Sequence, residues 1–205
     1  MEGRRSPWYH PGMPRDADPF PAIDTPRLRL RCACAADAPR VAGLMTPAIS
    51  RWLASWPTPC TPAMAGGRIA AWGALAGERR GMPCVVEERS EGAVVGWVHV
   101  LSLRDDPGRA TLGYWTGEAY QGRGTMREAA AALVPAAWGF LGVHVIEAGA
   151  QPGNAGSFAV MRALGMRPAG ERMVFAPARG REELCLFHEV TRGPGHAGAA
   201  GLGTG

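Results

Sequence analysis

Tyr120-Gln121-Gly122-Arg123-Gly124-Thr125-Met126-Arg127-Glu128 is the stretch from which the rest of this 205-residue sequence can be read. Arg109 to Thr116 before it is apolar and β-prone, and after it Met126, Ala130, Leu133, Ala137 and Phe140 fall on one helical stripe. Two glycines therefore stand at a strand-to-helix junction. Gly122 and Gly124 permit positive φ, so successive backbone N–H groups can turn toward one point at the positive end of the helix. Such a nest suits a phosphate, and Arg123 can add charge to it. A dinucleotide fingerprint is excluded, because Arg127 stands where its third glycine belongs and the preceding strand belongs to a meander.

Upstream, Cys84 to Glu87, Val94 to Leu103 and Arg109 to Thr116 are separated by Ser90-Glu91-Gly92 and Asp105-Asp106-Pro107-Gly108, which predicts antiparallel hairpins. An opening strand alternates Leu28, Leu30 and Cys32, facing inward, with Arg27, Arg29 and Arg31, facing water. Asp37 is expected to cap a short helix, Thr46-Pro47 to break it or start another, and Thr61-Pro62 to start a helix toward Leu75. The helix from Thr125 to Phe140 contains Pro135, which cannot donate to Ala131 and predicts a kink. Strand Val143 to Ala148, helix Asn154 to Leu164 closed by Gly165, and strands near Arg172 to Phe175 and Leu184 to Val190 complete the order β-α-α-β-β-β-α-β-α-β-β. The fold class is α+β: a mixed, mostly antiparallel twisted sheet, helices on both faces, and a right-handed parallel crossover between about 110 and 148.

The composition bounds what this fold can do. All 22 basic residues are Arg, so Schiff-base, pyridoxal-phosphate, Walker-type and kinase chemistry that needs lysine is excluded. Residues 25–192 hold 19 Arg against 14 acids, a basic domain suited to an anionic ligand. The Arg residues are scattered, which argues against nucleic acid, and no apolar run is long enough for a membrane span. Five cysteines without a C-x-x-C pair give neither a disulfide framework nor a zinc site. The expectation is a cytoplasmic protein, monomer or homodimer, with no metal. Residues 1–24, rich in Pro, and 193–205, rich in Gly and Ala, are expected to be flexible ends around a domain at 25–192.

About 30 residues beyond the nest, Asn154-Ala155-Gly156-Ser157 opens a second helix, with Asn154 as N-cap and the Ser157 hydroxyl in the first turn. Together with Thr25-Pro26-Arg27-Leu28-Arg29-Leu30-Arg31, Leu112-Gly113-Tyr114-Trp115 and Val160-Met161-Arg162-Ala163-Leu164-Gly165-Met166, these ordered motifs resemble the GNAT acyltransferase superfamily. The likeness is to its branch of RimJ- and RimL-like ribosomal-protein N-terminal acetyltransferases, and it covers nearly all of residues 25–190. It implies acetyl-CoA as co-substrate in a V-shaped gap between the strands ending near Thr116 and Ala148. Gln121, Gly122, Arg123, Gly124, Thr125 and Met126 would hold its pyrophosphate, the backbone near Trp115 and Thr116 would pair with pantetheine, and Asn154 would hold the pantetheine arm. Ser157 would hydrogen-bond or protonate the leaving thiolate.

Two departures from the family pattern stand out. Met126 occupies a place usually held by Gly or Ala, and Ala110-Thr111-Leu112 stands where the branch often carries a glutamate base. The late hairpin offers no carboxylate among Met173 to Pro177. Glu118, His99, Asp105 and Asp106 remain as base candidates, with Glu118 paired to Ser157 as the catalytic assignment. Trp52, Trp56 and Trp72 are expected to pack the core and to wall an acceptor groove. The function expected is acetyl transfer to a primary amine, of a protein N-terminus or a small molecule, by direct attack in a ternary complex. The alternative is a non-catalytic acyl-CoA-binding module.

Overall fold

The computed structural model describes residues 18–193. In chain order the elements are β1 (Ile23–Asp24), β2 (Leu28–Cys32), α1 (Ala38–Leu44), α2 (Pro47–Ser50), α3 (Pro62–Gly77), β3 (Gly81–Glu88), β4 (Ala93–Ser102) and β5 (Arg109–Thr116). They continue as α4 (Thr125–Leu141), β6 (Val145–Ala150), α5 (Ala155–Ala163), β7 (Arg167–Ala176) and β8 (Arg181–Thr191). The eight strands form one sheet in the order β1-β2-β3-β4-β5-β6-β8-β7, antiparallel except for the pair β5–β6. The predicted α+β architecture is therefore present, with a two-residue edge strand that periodicity did not announce and a short α2 beginning at the expected Thr46-Pro47 start.

Alternation divides the core between the two faces of the sheet. On one face Leu28, Leu30, Cys84, Val86, Val98 and Val100 meet Ala130, Leu133 and Ala137 of α4. On the other, Val85, Trp97 and Trp115 meet Val41 of α1 and Ala65 and Ile69 of α3. The Thr61 hydroxyl caps α3 by accepting from Met64 N at 3.2 Å. Pro135 lies on the exposed side of α4, which continues through it to Leu141.

Three expectations are corrected. The folded unit begins before Thr25: Phe20 is 3% exposed and stacks edge-on against Phe140 at 5.4 Å, and Ile23–Asp24 pairs with β2. An aromatic side chain with a partner on α4 outweighs the Pro-rich composition around it; residues 1–17 and 194–205 lie outside the described residues. Arg31 does not face water. It is 7% exposed and bonds Asp37 through Nη1 (2.7 Å) and Nη2 (2.6 Å) and Glu87 through Nε (2.7 Å). Asp37 stands at the N-cap of α1 as expected, but its side chain makes no bond to that helix; it accepts from Arg31 and, closing a capping box on the turn Ala35–Asp37, from Cys34 N at 2.8 Å. This buried ion cluster ties β2 to the start of the helical segment, and losing one partner of such a pair costs about 3–5 kcal/mol.

Candidate active site

The parallel pairing of β5 with β6 covers only Arg109 to Thr111 against Val145 to Glu147. Beyond it β5 stays on β4 as far as Thr116 and β6 stays on β8 as far as Ala150, so the two strands part. Gly117 N donates to Val95 O and Leu103 N to Arg109 O, so the odd-numbered residues of β5 exchange their backbone bonds with β4. The N–H and C=O of Tyr114 and Thr116 consequently face the gap, where Thr116 O accepts from Gln121 Nε2 at 3.0 Å. On the far strand, Arg192 N donates to His144 O, which turns even-numbered β6 residues to β8 and leaves Gly149 facing the gap. Of the two backbone positions expected there, Thr116 is present and Trp115 is not. Trp115 bonds toward Trp97, and Tyr114 takes its place.

At the open end of β5 the chain makes the predicted glycine turn. Gly122 has φ 75° and Gly124 φ 74°, and Gly124 is the N-cap of α4. Among the described residues, the N–H groups of Gly122, Arg123 and Gly124 have no acceptor. The turn is braced from the β1–β2 connection: Arg27 Nη1 donates to Arg123 O at 2.9 Å, while Arg27 Nε and N donate to the Glu128 carboxylate at 2.6 and 3.0 Å. Thr25 Oγ1 adds a 2.6 Å bond to the same carboxylate. Burial alone would raise the Glu128 pKa, but these bonds together hold it below the usual range. The brace pulls one loop carbonyl away from the nest and offsets an acid in the first turn of α4. Met126 turns its side chain into the core, with Cε 3.6 Å from where a Cβ on Gly96 would sit. Only its backbone belongs to the loop, which explains why a large residue stands at a Gly/Ala place.

The second helix start comes to the opposite lip of the gap. Asn154 Oδ1 accepts from Ser157 N at 3.1 Å, and Tyr114 Oη donates to Ser157 O at 3.0 Å. Burial pushes the Tyr114 pKa up to about 12, against the pull of that bond, so the phenol keeps its proton. The half-buried Ser157 hydroxyl has no partner among the described residues.

All the predicted site residues, Trp115, Thr116, Glu118, Gln121 to Met126, Asn154 and Ser157, line one cavity of about 1250 Å³. The base candidates separate within it. Glu118 lines the wall and accepts from the Thr46 hydroxyl at the start of α2. His99 lines it too, but Nδ1 accepts from Trp97 Nε1 at 3.2 Å, leaving the proton on Nε2. Burial, helped by the charge of Arg68, pushes its pKa down to about 3. It is a neutral donor near neutral pH and an unsuitable base. Asp105 and Asp106 sit in an exposed turn away from the cavity, where Asp106 bonds Gly108 N.

The sequence reading missed Glu183, a cavity carboxylate on β8 opposite Val174. It accepts from Arg179, Arg181 and Gln151, and the Arg179 bonds lead the causes that hold its pKa near 2. Arg179 also donates to Ser50 O and Leu53 O, both at 2.9 Å, so this cluster fastens the late hairpin to the helical segment. Cys185 lines the same wall, its thiol pKa raised by burial. An E-x-C alternation on the last strand was the available signal, and it carries no chemistry until the hairpin is folded against the gap.

Comparison with known proteins gives one family match: a model described as an acetyltransferase (GNAT) domain fits residues 27–167. No curated protein matches the sequence. Among solved structures, a ribosomal-protein-S5-alanine acetyltransferase from Vibrio fischeri superposes with TM-score 0.72 at 22% identity, covering 84% of this chain and 97% of that one. RimJ from Mycobacterium smegmatis, solved with CoA-disulfide, gives 0.71 at 21%, covering 83% and 86%. RimL, the ribosomal L7/L12 alpha-N-protein acetyltransferase, solved with coenzyme A, gives 0.72 at 18%, covering 83% and 98%. At these identities the likeness is one of fold.

Proposed function

The chain belongs to the GNAT acetyltransferase family, and on that premise we propose that it moves an acetyl group from acetyl-CoA to a primary amine in a ternary complex. The observation that carries the reading is the continuity of the cavity: an anion nest, two parted strand edges and a helix N-terminus open into one space. The thioester supplies an activated acetyl group and a thiolate that can leave. The nest from Gln121 to Met126 binds the pyrophosphate, with Arg27 keeping the loop in shape. Gap-facing backbone groups of Tyr114, Thr116 and Gly149 pair with the pantetheine amides, and Asn154 holds the same arm.

The amine lone pair attacks the thioester carbon, forming C–N while C–S breaks. Ser157 donates to the departing sulfur from the α5 N-terminus, where the helix end also favours negative charge. The amine proton leaves through water to Glu118, whose position on the wall suits a relay rather than direct contact. His99 takes no proton. Two of the neighbours named above act, by their names, on ribosomal proteins, one on an S5 alanine and one as an alpha-N-acetyltransferase of L7/L12, so peptide amines and small amines both belong in the test.

The experiment is thiol release from acetyl-CoA, with product mass, against peptides beginning with Ser or Ala and a panel of small amines. Amine-dependent release is expected, and Ser157→Ala should lower kcat about tenfold with little change in KM for acetyl-CoA. Binding of acetyl-CoA without release by any amine would leave the non-catalytic acyl-CoA-binding reading instead.

A further inference from the structure

Three cysteines gather where the sheet hands over to the helical segment. Cys32 ends β2, and Cys84 on β3 is its register partner. Ala33 N donates to Pro83 O and Arg89 N to Arg27 O, so odd-numbered residues of β2 exchange the ladder bonds and Cys32 faces Cys84 at a non-hydrogen-bonded position. Such positions hold opposed Cα atoms about 4.5 Å apart, inside the range of about 4.4–6.8 Å that a disulfide bridges. Opposed residues also point to the same face, and both side chains belong to the core on the α4 side. Both thiols are free in the structure, and the Cys84 thiol donates only to Met82 O at 3.8 Å.

Burial decides how these thiols can react. Cys84 is fully buried and Cys32 is 7% exposed, whereas Cys34, two residues further along, is exposed. Burial, with Asp18 and Cys34 behind it, pushes the Cys32 thiol up to about 11; burial and then Cys32 push the Cys84 thiol well above its usual value. Neither starts an exchange by itself near neutral pH. Each thiol nonetheless feels the next, in the order Cys34, Cys32, Cys84. Among the described residues no three His, Cys, Asp or Glu side chains are arranged to hold a metal ion, so what the cluster offers is thiol chemistry.

What lies between the two opposed cysteines gives the pair a purpose. Residues 33–83 contain all of α1, α2 and α3, with Trp56 and Trp72 on the cavity wall. A bond from Cys32 to Cys84 closes this whole covering segment into one loop, and such closure takes conformational freedom from its opened forms. No spacing in the sequence announces the pair; the register of β2 on β3 makes it.

We propose that Cys32 and Cys84 form a reversible disulfide that clasps the segment α1–α3 onto the sheet, with Cys34 as the point where a low-molecular-weight disulfide is captured. The Cys34 thiolate attacks the disulfide RS–SR, releasing one RS⁻ and leaving a mixed disulfide on Cys34. The Cys32 thiolate attacks Cys34 Sγ and expels the second RS⁻; the Cys84 thiolate then attacks Cys32 Sγ and returns Cys34 as a thiolate. In sum two protein thiols lose two electrons and two protons, and RS–SR becomes two RSH. Thiol state and stability report the clasp without turnover, so it stands or falls apart from the acetyltransferase reading.

The test treats the reduced full-length protein with an equimolar amount of glutathione disulfide under native conditions, blocks free thiols with iodoacetamide and maps the linkage by peptide mass spectrometry. A peptide joining Cys32 to Cys84, with Cys34 recovered as a free thiol and the bond reversed by dithiothreitol, is expected. The thermal midpoint should rise by about 5 °C or more, and amide exchange across residues 33–83 should slow about tenfold. Cys34→Ser should slow closure about tenfold and leave its end point unchanged. Glutathione left on Cys34, Cys32–Cys34 as the final bond, or Cys32 and Cys84 both still free would overturn the disulfide. These results come from the wild-type chain and do not depend on a core variant folding. A Cys32–Cys84 bond that moves neither the midpoint nor the exchange of 33–83 would overturn its role as a clasp, and an unchanged rate in Cys34→Ser would overturn the capture role of Cys34.

Discussion

In the proposed assignment the coenzyme end of the cavity comes from two short runs of sequence, residues 121–126 and 154–157, whereas the acceptor end is drawn from α2, α3, β4, β5, β6 and β8. At the coenzyme end the chemistry is backbone: two positive-φ glycines and two helix starts present N–H groups, and side chains only brace them. At the acceptor end the chemistry is side chains brought against distant parts of the sequence, such as His99 over Gly113 and Arg179 bonding Ser50 O. A local backbone site survives drift in its surroundings, while a composite side-chain site changes with any strand that feeds it. The difference teaches where specificity can vary without losing the coenzyme.

The largest effect is expected at the coenzyme end. Gly124→Val forces a β-branched residue into φ 74° and removes the turn that aims the N–H groups. Strain of about 1–3 kcal/mol plus loss of charge-assisted hydrogen bonds should raise KM for acetyl-CoA about 100-fold. If affinity holds while acceptor KM moves instead, the division of the cavity is wrong. Arg27→Ala removes the brace without touching the nest N–H groups, and about a tenfold rise in KM for acetyl-CoA with kcat nearly unchanged is expected from steady-state kinetics. Arg27→Lys should restore only part of it, since a point charge cannot bond Arg123 O and Glu128 together.

At the acceptor end the expected effects are smaller and fall on stability and acceptor kinetics. Glu183→Gln should cost about 1 kcal/mol near neutral pH by loosening the hairpin from the helical segment. The folded pKa lies near 2, below the ordinary carboxylate value of about 4.3, so the unfolded chain binds the extra proton first. The contribution is therefore full above about pH 5 and lost as pH falls toward 2, and urea midpoints for wild type and variant should converge over that window. A gap that widens on acidification would show that the carboxylate does not act through its ion pairs. Smallest of all is the pH response of His99. With a folded pKa of about 3, His99→Gln should alter acceptor kinetics yet leave the shape of the pH–rate profile between pH 5 and 9 unchanged.

The contrast between the two ends also governs what could be read in advance. Gly122, Gly124 and Asn154 were legible because turn and cap chemistry is local, and the meander was legible from its hairpin connections. Arg31 was misread because alternation reports which face a residue occupies and says nothing of a carboxylate waiting on that face; Asp37 and Glu87 arrive from a loop and from β3. Trp115 was misassigned because ladder phase depends on where hairpin bonds fall, and Gly117 N to Val95 O sets it. The E-x-C alternation of Glu183 and Cys185 could not be read as part of a site because its meaning depends on a hairpin docking against residues 50 to 53.

The most direct test of the account is amide hydrogen exchange with and without coenzyme A. Amides of residues 122–127, the gap-facing amides of Tyr114, Thr116 and Gly149, and the start of α5 should gain protection, while residues 52–72 stay unchanged until an acceptor amine is added. Protection confined to residues 52–72, or none at Gly122 to Met126, would contradict the assignment of the nest to the coenzyme.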